Sequence, residues 1–263
     1  MINKYIKNAI YYIVGILLIA LIFQIIAWVK SNDYFFPNVN DIVGSFFNEL
    51  GRGKTWIGIL NSSVNVILTI LFSFAVALIF AVFAYKFSVV YKILKPLMMI
   101  FRFIPIVIII DILFYMFYRQ NALILYVTVS TFLVPIVYEA IYQGINSIDK
   151  SYIDVYRLSS SFNLRILFKV YLPLAASACK SAFLNAIGIG IKICLSVEFL
   201  CSFRDTLGFL IKVEISNYDG YTDLYGYLII LIILSVILEA IPLIVMFIYN
   251  KIKYRERKIE LEY

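Results

Sequence analysis

The sequence has 263 residues, of which 63% are hydrophobic and 15% are charged, with a mean hydropathy of +0.94 and a net charge of +7. A soluble domain of this size could not cover its surface with so few charged residues, so we predict an integral membrane protein. The chain contains no histidine, which removes the commonest metal ligand and the usual general base near neutral pH.

Six runs of the sequence are long and apolar enough to span a bilayer, which takes about 20 residues. They are 10–29, 57–84, 96–118, 121–144, 174–199 and 223–249. We therefore predict an all-α fold with six transmembrane helices. The first run follows two lysines, but no small-residue cleavage site follows it, so we interpret it as an uncleaved span rather than a secretory signal.

The placement of lysine and arginine predicts the orientation, because these residues are enriched in cytoplasmic loops. With the N-terminus inside, fourteen of them fall in cytoplasmic segments and six in outer segments, so both termini are predicted to be cytoplasmic. No long internal repeat is visible, which argues against a carrier built from inverted repeats. The predicted divisions are an N-terminal end with the first span (1–30), an outer segment (31–56), a core of five spans (57–250) with a cytoplasmic loop (145–173), and a basic cytoplasmic tail (251–263).

The stretch GRGKT at 51–55 looks like the end of a phosphate-binding loop. The full pattern needs a glycine five residues before Gly53, and that position is Asn48. It also needs a preceding strand, whereas here it joins two predicted spans on the outer face. We interpret it as an interfacial turn, and we do not expect this chain to bind ATP.

A polar, basic stretch, SYIDVYRLSSSFNLRILFKVYLP at 151–173, separates the fourth and fifth spans. Asp154 and Arg157 are three residues apart and therefore share one face of a helix. A short amphipathic helix outside the membrane can dock into a groove on a partner protein through its apolar residues. The candidate apolar anchors here are Ile153, Tyr156 and Leu158.

Residues 154–173 resemble, at its spacing, the cytoplasmic glutamate-alanine-alanine motif of ABC-transporter permeases. Asp154 stands at the glutamate position, Ser160 stands at the glycine position, and Leu172-Pro173 closes the motif. The preceding stretch, 144–153, is similar to its equivalent in the nitrate/sulfonate/taurine branch of binding-protein-dependent importers. The sequence departs from the motif where Val155 and Tyr156 replace its two alanines. The stretch EAIYQG at 139–144 also looks like the motif, but Glu139 is 34 residues before Pro173 instead of 19, so we expect water or a helix neighbour to satisfy it.

Other stretches share the resemblance to this branch, which covers most of residues 34–250. FFPNVNDIVGSFFNEL is similar to its short outer helix, and FRFIPIVIIIDILFYMF is similar to its third span. VEFL and TLGFLI, with Glu198, Leu207 and Gly208, are similar to the end of its fifth span and the loop beyond.

The resemblance implies the type I importer permease fold and a multi-pass location in the bacterial cytoplasmic membrane. It also implies a second permease copy, two cytoplasmic ABC ATPases that carry ATP and Mg, and an extracytoplasmic binding protein that delivers a small anionic or zwitterionic solute. The chain itself would bind no cofactor and catalyse no reaction. The residues that would couple it to the ATPase are Ile153, Asp154, Tyr156, Arg157, Leu158 and Ser160.

Two predicted spans carry small residues every third or fourth position, a pattern that lets another helix approach closely. In span five they are Ala178, Ala182, Ala186, Gly190 and Cys194, and in span two they are Ser62, Asn65, Thr69, Ser73, Ala77 and Ala81. The second set is predicted to pack helices together. The first set could pack within one chain or form the seam between two permease copies.

Four ionisable residues lie deep in the predicted spans, where a central charge costs about 2.5–3.5 kcal/mol on insertion scales. Arg102, Asp111, Lys192 and Glu198 are therefore pathway candidates. The third helix is predicted to bend at Pro105, which cannot donate a backbone hydrogen bond. Asp111 and Lys192 have opposite signs at comparable depth and are predicted to pair with each other or to contact opposite ends of a solute.

Two other functional classes were considered. A stand-alone secondary carrier could couple ions through Asp111, Glu198 and Lys192, but it would leave the loop at 145–173 unexplained. A membrane enzyme would need a catalytic or metal constellation, and none is visible; the three cysteines show no paired spacing and are interpreted as packing residues. Lys180 is expected to extend toward the cytoplasmic interface. We expect lipid contacts and no nucleic-acid partner.

Overall fold

The computed structural model describes residues 2–30, 35–117, 120–148, 170–216 and 221–260, and all regular elements in these ranges are helical. The all-α prediction is therefore confirmed for the described part. In chain order the helices are α1 (Ile2–Lys30), α2 (Val39–Leu50), α3 (Gly53–Lys86), α4 (Ser88–Phe103), α5 (Ile106–Met116), α6 (Asn121–Asn146), α7 (Leu172–Leu174), α8 (Ala176–Cys201), α9 (Leu207–Ser216) and α10 (Tyr221–Glu260).

Four described helices are long and apolar enough to cross a membrane: α3, α6, α8 and the Tyr221–Ile248 part of α10. They coincide with the predicted second, fourth, fifth and sixth spans. The bent pair α4–α5 would raise the number to five. In the first predicted span, α1 contains a shorter apolar helical stretch, Leu17–Val29.

The third predicted span is not one gently bent helix. It consists of α4 and α5, which meet at 97°, and α4 begins at Ser88, eight residues before the predicted start. Ile104 and Pro105 between them are both extended, with ψ angles of 125° and 133°. A proline pushes the preceding residue out of the helical region and offers no N–H of its own, so α4 ends at Phe103.

Helix α6 lies at the centre of the bundle and packs against α3, α4, α5 and α8. Its side chains Leu133, Tyr138 and Ile141 are completely buried. Among the small residues of α3, Ser73 lies 3.0 Å from the hydroxyl of Ser130 on α6, whereas Ser62 and Asn65 hydrogen-bond to α8. Apolar side chains gain little by leaving lipid for protein, so close van der Waals packing of this kind holds the helices together.

The small residues of α8 pack within the same chain. Ala182, Ala186 and Gly190 are buried, and a Cβ placed on Gly190 would come within 2.6 Å of Ile70 on α3. Farther along, Ala178 packs directly on Gly144 of α6. This arrangement corresponds to the first of the two alternatives that the sequence left open.

The outer segment contains the short helix α2, which packs on the start of α10. Ser45 donates a hydrogen bond of 2.7 Å to Asp223. The buried carboxylate of Glu49 pairs with Arg52, and Lys54 lies 3.8 Å from Glu214. In the GRGKT stretch, only Gly51 and Arg52 form the turn between α2 and α3, Gly53 begins α3, and both cations lie near carboxylates.

Candidate translocation surface

One side of α8 carries exposed polar side chains along nearly its whole length. We call this side the polar face of α8; it comprises Ser177, Ser181, Asn185, Lys192 and Ser196. Steps of four or seven residues keep these side chains on one side of a helix with 3.6 residues per turn. Polar groups across a full span are unfavourable toward lipid, so the polar face should lie against water or protein.

Of the polar face, only Lys192 was predicted from the sequence. The signal was available, because a serine or asparagine recurs at the same helical position from Ser177 to Ser196. The small residues of α8 that were predicted to pack form a separate, buried stripe, which includes Gly190. The two stripes lie on different sides of α8, as predicted for Lys192 and Gly190.

Glu239 of α10 borders the polar face and was also missed. A Cβ built on Gly188 would lie 2.9 Å from the Glu239 carboxylate oxygen Oε1, so the acid lies directly against α8 one turn from Lys192. The Glu239 side chain is exposed. A single acid inside an apolar span is a functional signal, and this one could have been read from the sequence.

The predicted pair between Asp111 and Lys192 is not formed. Both side chains are described and exposed, and no hydrogen bond or ion pair within the described ranges joins them. Asp111 on α5 instead lies within electrostatic reach of Cys201. Cys201 is nine residues beyond Lys192, which places it two and a half turns away and on the opposite side of α8. Asp111 and Lys192 are therefore not at comparable depth, and that part of the expectation was wrong.

Glu198 is at the centre of a buried hydrogen-bond network at the other end of α8. Its carboxylate accepts a hydrogen bond of 2.6 Å from the hydroxyl of Ser62 and one of 2.8 Å from the amide of Asn65, both on α3. The Ser62 hydroxyl in turn accepts a 2.9 Å hydrogen bond from the backbone N–H of Leu207. This network ties α3, α8 and the start of α9 together and keeps Glu198 away from solvent.

The chain reverses sharply between α8 and α9. Ser202 and Asp205 have positive φ angles of 55° and 60°, and Asn61 of α3 donates a 2.8 Å hydrogen bond to the Asp205 carbonyl. A Cβ on Gly208 would come within 2.6 Å of the Phe199 backbone nitrogen, so only glycine fits there. Glu198, Leu207 and Gly208, singled out together in the sequence, are thus in contact in the structure.

Arg102 faces a cavity of about 450 Å³ between α4 and α6. Its Nη2 atom donates a 2.8 Å hydrogen bond to the carbonyl of Pro135. Glu139 lines the same cavity and accepts a 2.7 Å hydrogen bond from Gln143, the helix neighbour expected for it. Gln143 lines the cavity too, and the remaining lining residues are Phe132, Ile136 and Ala140.

The six residues predicted to contact an ATPase lie outside the described residues. They are Ile153, Asp154, Tyr156, Arg157, Leu158 and Ser160. The described residues on either side of this segment lie close together, since Ile148 after α6 and Leu174 of α7 line one cavity. Tyr171 is buried and packs on Tyr85 of α3, with 5.3 Å between ring centroids. Lys180, expected to extend toward an interface, is exposed on α8.

Comparison with known proteins gives a consistent picture. A family model described as "Binding-protein-dependent transport system inner membrane component" matches residues 73–254. Among solved structures, a chain of the MetNI methionine ABC transporter in inward-facing conformations matches with a TM-score of 0.60 and 18% identity, covering 70% of this chain and 91% of that one. At this identity the likeness concerns the fold alone. No curated protein matches.

Proposed function

Because the chain belongs to the family of binding-protein-dependent transport system inner membrane components and has the fold of an ABC-importer permease, we propose that the polar face of α8 lines its solute pathway. The chain is a multi-pass protein of the cytoplasmic membrane, and it is the permease subunit of an ABC importer. The solute we propose is small and anionic or zwitterionic, delivered by an extracytoplasmic binding protein.

The observation that carries this proposal is the exposed Lys192 in the middle of α8. A charge at the centre of a spanning helix costs about 2.5–3.5 kcal/mol on insertion scales, and four more polar side chains extend along the same side. A water-filled path opposite this face removes that cost. We propose that a second copy of the chain forms the other wall of the path, because an enclosed path needs walls on more than one side.

We further propose that residues 153–160 dock on one of two cytoplasmic ATPase subunits, which bind ATP and Mg. Support comes from its place in the chain: α6 precedes this segment, and α7 and α8 are the next described helices after it. A force applied to the segment would therefore act on the helix that carries the polar face. Reversing a 1:99 preference between two states takes about 5.5 kcal/mol of differential interaction, which one firmly held helix could transmit.

The pathway proposal can be tested by cysteine accessibility in a chain whose three native cysteines are replaced by alanine. We expect Asn185→Cys to react with a charged, membrane-impermeant thiol reagent. The matched control is Ile237→Cys on α10, a position 50% exposed but about 160° around the helix from Glu239, which should not react because lipid covers it. Equal labelling at both positions, or labelling at neither in any state of the transporter, would refute the pathway.

The coupling proposal needs a separate experiment. Scrambling 153–160 should abolish ATP-driven uptake and prevent an ATPase subunit from co-purifying, while the variant chain still inserts and remains monodisperse. If uptake and co-purification survive, the docking segment lies elsewhere. The stand-alone carrier considered from the sequence is not favoured, because the family that the chain belongs to supplies subunits of ATP-driven systems.

A further inference from the structure

The cavity between α4 and α6 contains two opposite charges that do not neutralise each other. Arg102 comes from the end of α4, and Glu139 comes from the last two turns of α6. Both side chains are described, and no ion pair between them is present in this part of the chain. Because unneutralised charges in a membrane helix are costly, each is expected to meet a partner of opposite charge during the working cycle.

Both side chains have hydrogen-bonding capacity left over. A guanidinium has five N–H donors, and the described residues provide one acceptor for Arg102, the carbonyl of Pro135. A carboxylate offers two oxygens, and for Glu139 only Oε1 receives a donor, the amide of Gln143. Unused donors of Arg102 and an unused oxygen of Glu139 are thus both available to an occupant of the same cavity.

Besides the two charges and the amide of Gln143, the cavity is lined by apolar side chains, which are Phe132, Ile136 and Ala140. A site of this composition holds a short hydrocarbon between two oppositely charged ends. A simple anion would leave Glu139 unpaired and would be repelled by it, and a simple cation would meet the same problem at Arg102. The volume of about 450 Å³ admits a small molecule with room for some water.

We propose that this cavity binds a zwitterion, with the acid group of the solute on Arg102 and its ammonium group on Glu139. The inference rests on the proposed permease function, since it identifies the class of solute that the chain accepts. It assigns a binding role to Glu139, for which the sequence predicted only water or a helix neighbour as partner.

Direct binding to the full-length chain in lipid nanodiscs tests this without requiring transport. The probes are β-alanine and propionate, which differ only by the ammonium group, measured by isothermal titration calorimetry. We expect β-alanine to bind at least about tenfold more tightly than propionate, as one charge-assisted contact provides. Glu139→Gln should abolish that preference while retaining propionate binding, which also shows that the variant is folded. Arg102→Gln should weaken both probes.

The matched control is Lys92→Gln, which removes an exposed cation from the same helix as Arg102 and should leave both affinities unchanged. Equal affinity of the wild-type chain for the two probes would overturn the proposal, as would an unchanged ratio in Glu139→Gln. If either variant instead dissociates a dimer of the chain without changing the ratio of the β-alanine and propionate affinities, the two charges stabilise a contact between subunits and the proposal is wrong. In each of these cases, solute-dependent uptake and Asn185→Cys labelling would still decide the permease function independently.

Discussion

The network around Glu198 makes a quantitative prediction about how α3, α8 and the start of α9 are held together. Replacing Glu198 with alanine removes the acceptor of two interhelical hydrogen bonds, from Ser62 at 2.6 Å and from Asn65 at 2.8 Å. Interhelical hydrogen bonds in membranes average about 0.6 kcal/mol and reach about 1.7 kcal/mol. Because this acceptor is a fully buried carboxylate, each bond should lie near the upper end of that range. Glu198→Ala should therefore destabilise the chain by about 3 kcal/mol.

Replacing Ser62 with alanine should cost about 2 kcal/mol, because the hydroxyl both donates to Glu198 and accepts from the Leu207 N–H at 2.9 Å. In the double variant Glu198→Ala/Ser62→Ala, the hydrogen bond between the two side chains is lost only once. The double variant should therefore be destabilised by about 1.5 kcal/mol less than the sum of the two single variants. Reversible unfolding with an increasing fraction of denaturing detergent, followed by circular dichroism, measures all three free energies.

Ser63→Ala provides the matched control for this cycle. Ser63 is the next residue on α3, but its hydroxyl bonds only to the carbonyl of Ile59 on its own helix, so its loss should be nearly neutral. Effects of Glu198→Ala and Ser62→Ala that add to within about 0.3 kcal/mol would show that the two side chains act independently and would refute the network.

Two further predictions concern glycine packing and the pathway. Gly208→Ala should lower the free energy of unfolding by about 1–3 kcal/mol, because the new Cβ would lie 2.6 Å from the backbone of Phe199. Gly44→Ala is the control: nothing lies within 4 Å of its Cβ position, so this variant should be neutral or stabilising in the same unfolding assay. Equal stability of the two variants would contradict this packing. Lys192→Met should lower the apparent affinity for an anionic or zwitterionic solute in vesicle uptake by about tenfold or more, and Lys92→Met should not. Unchanged uptake by Lys192→Met would remove that residue from the path.

Most of the fold could be predicted because hydropathy is a property of short segments. Each apolar run must satisfy its own backbone hydrogen bonds in lipid, so α3, α6, α8 and α10 follow from length and composition alone. The break at Pro105 was also predictable in kind, but its angle was not. Its value of 97° depends on both Ile104 and Pro105 being extended, and packing of α5 on α6 stabilises that geometry.

The candidate site could be predicted only in part, because a site depends on which sides of different helices face each other. Glu198, Leu207 and Gly208 were found together since they lie on one continuous stretch whose turn brings them back into contact. The Asp111–Lys192 pair was wrong because residue counts along a straight span do not give the depth of α5, which follows a 97° bend. Glu239 was not predicted because ion pairs were sought only among the four ionisable residues already chosen as pathway candidates.

The packing of α8 constrains how a force on residues 149–169 can reach the polar face. Along its buried side α8 is in close contact with two helices, through Ala178 on Gly144 of α6 and through Gly190 against Ile70 of α3. These contacts leave no room for α8 to slide past its neighbours, and the Glu198 network fixes its other end to α3. Interiors packed this closely move as units rather than deforming continuously. A pull on the start of α8 should therefore rotate α3, α6 and α8 together, so that the polar face opens and closes by rocking of the helix group rather than by translation of one helix.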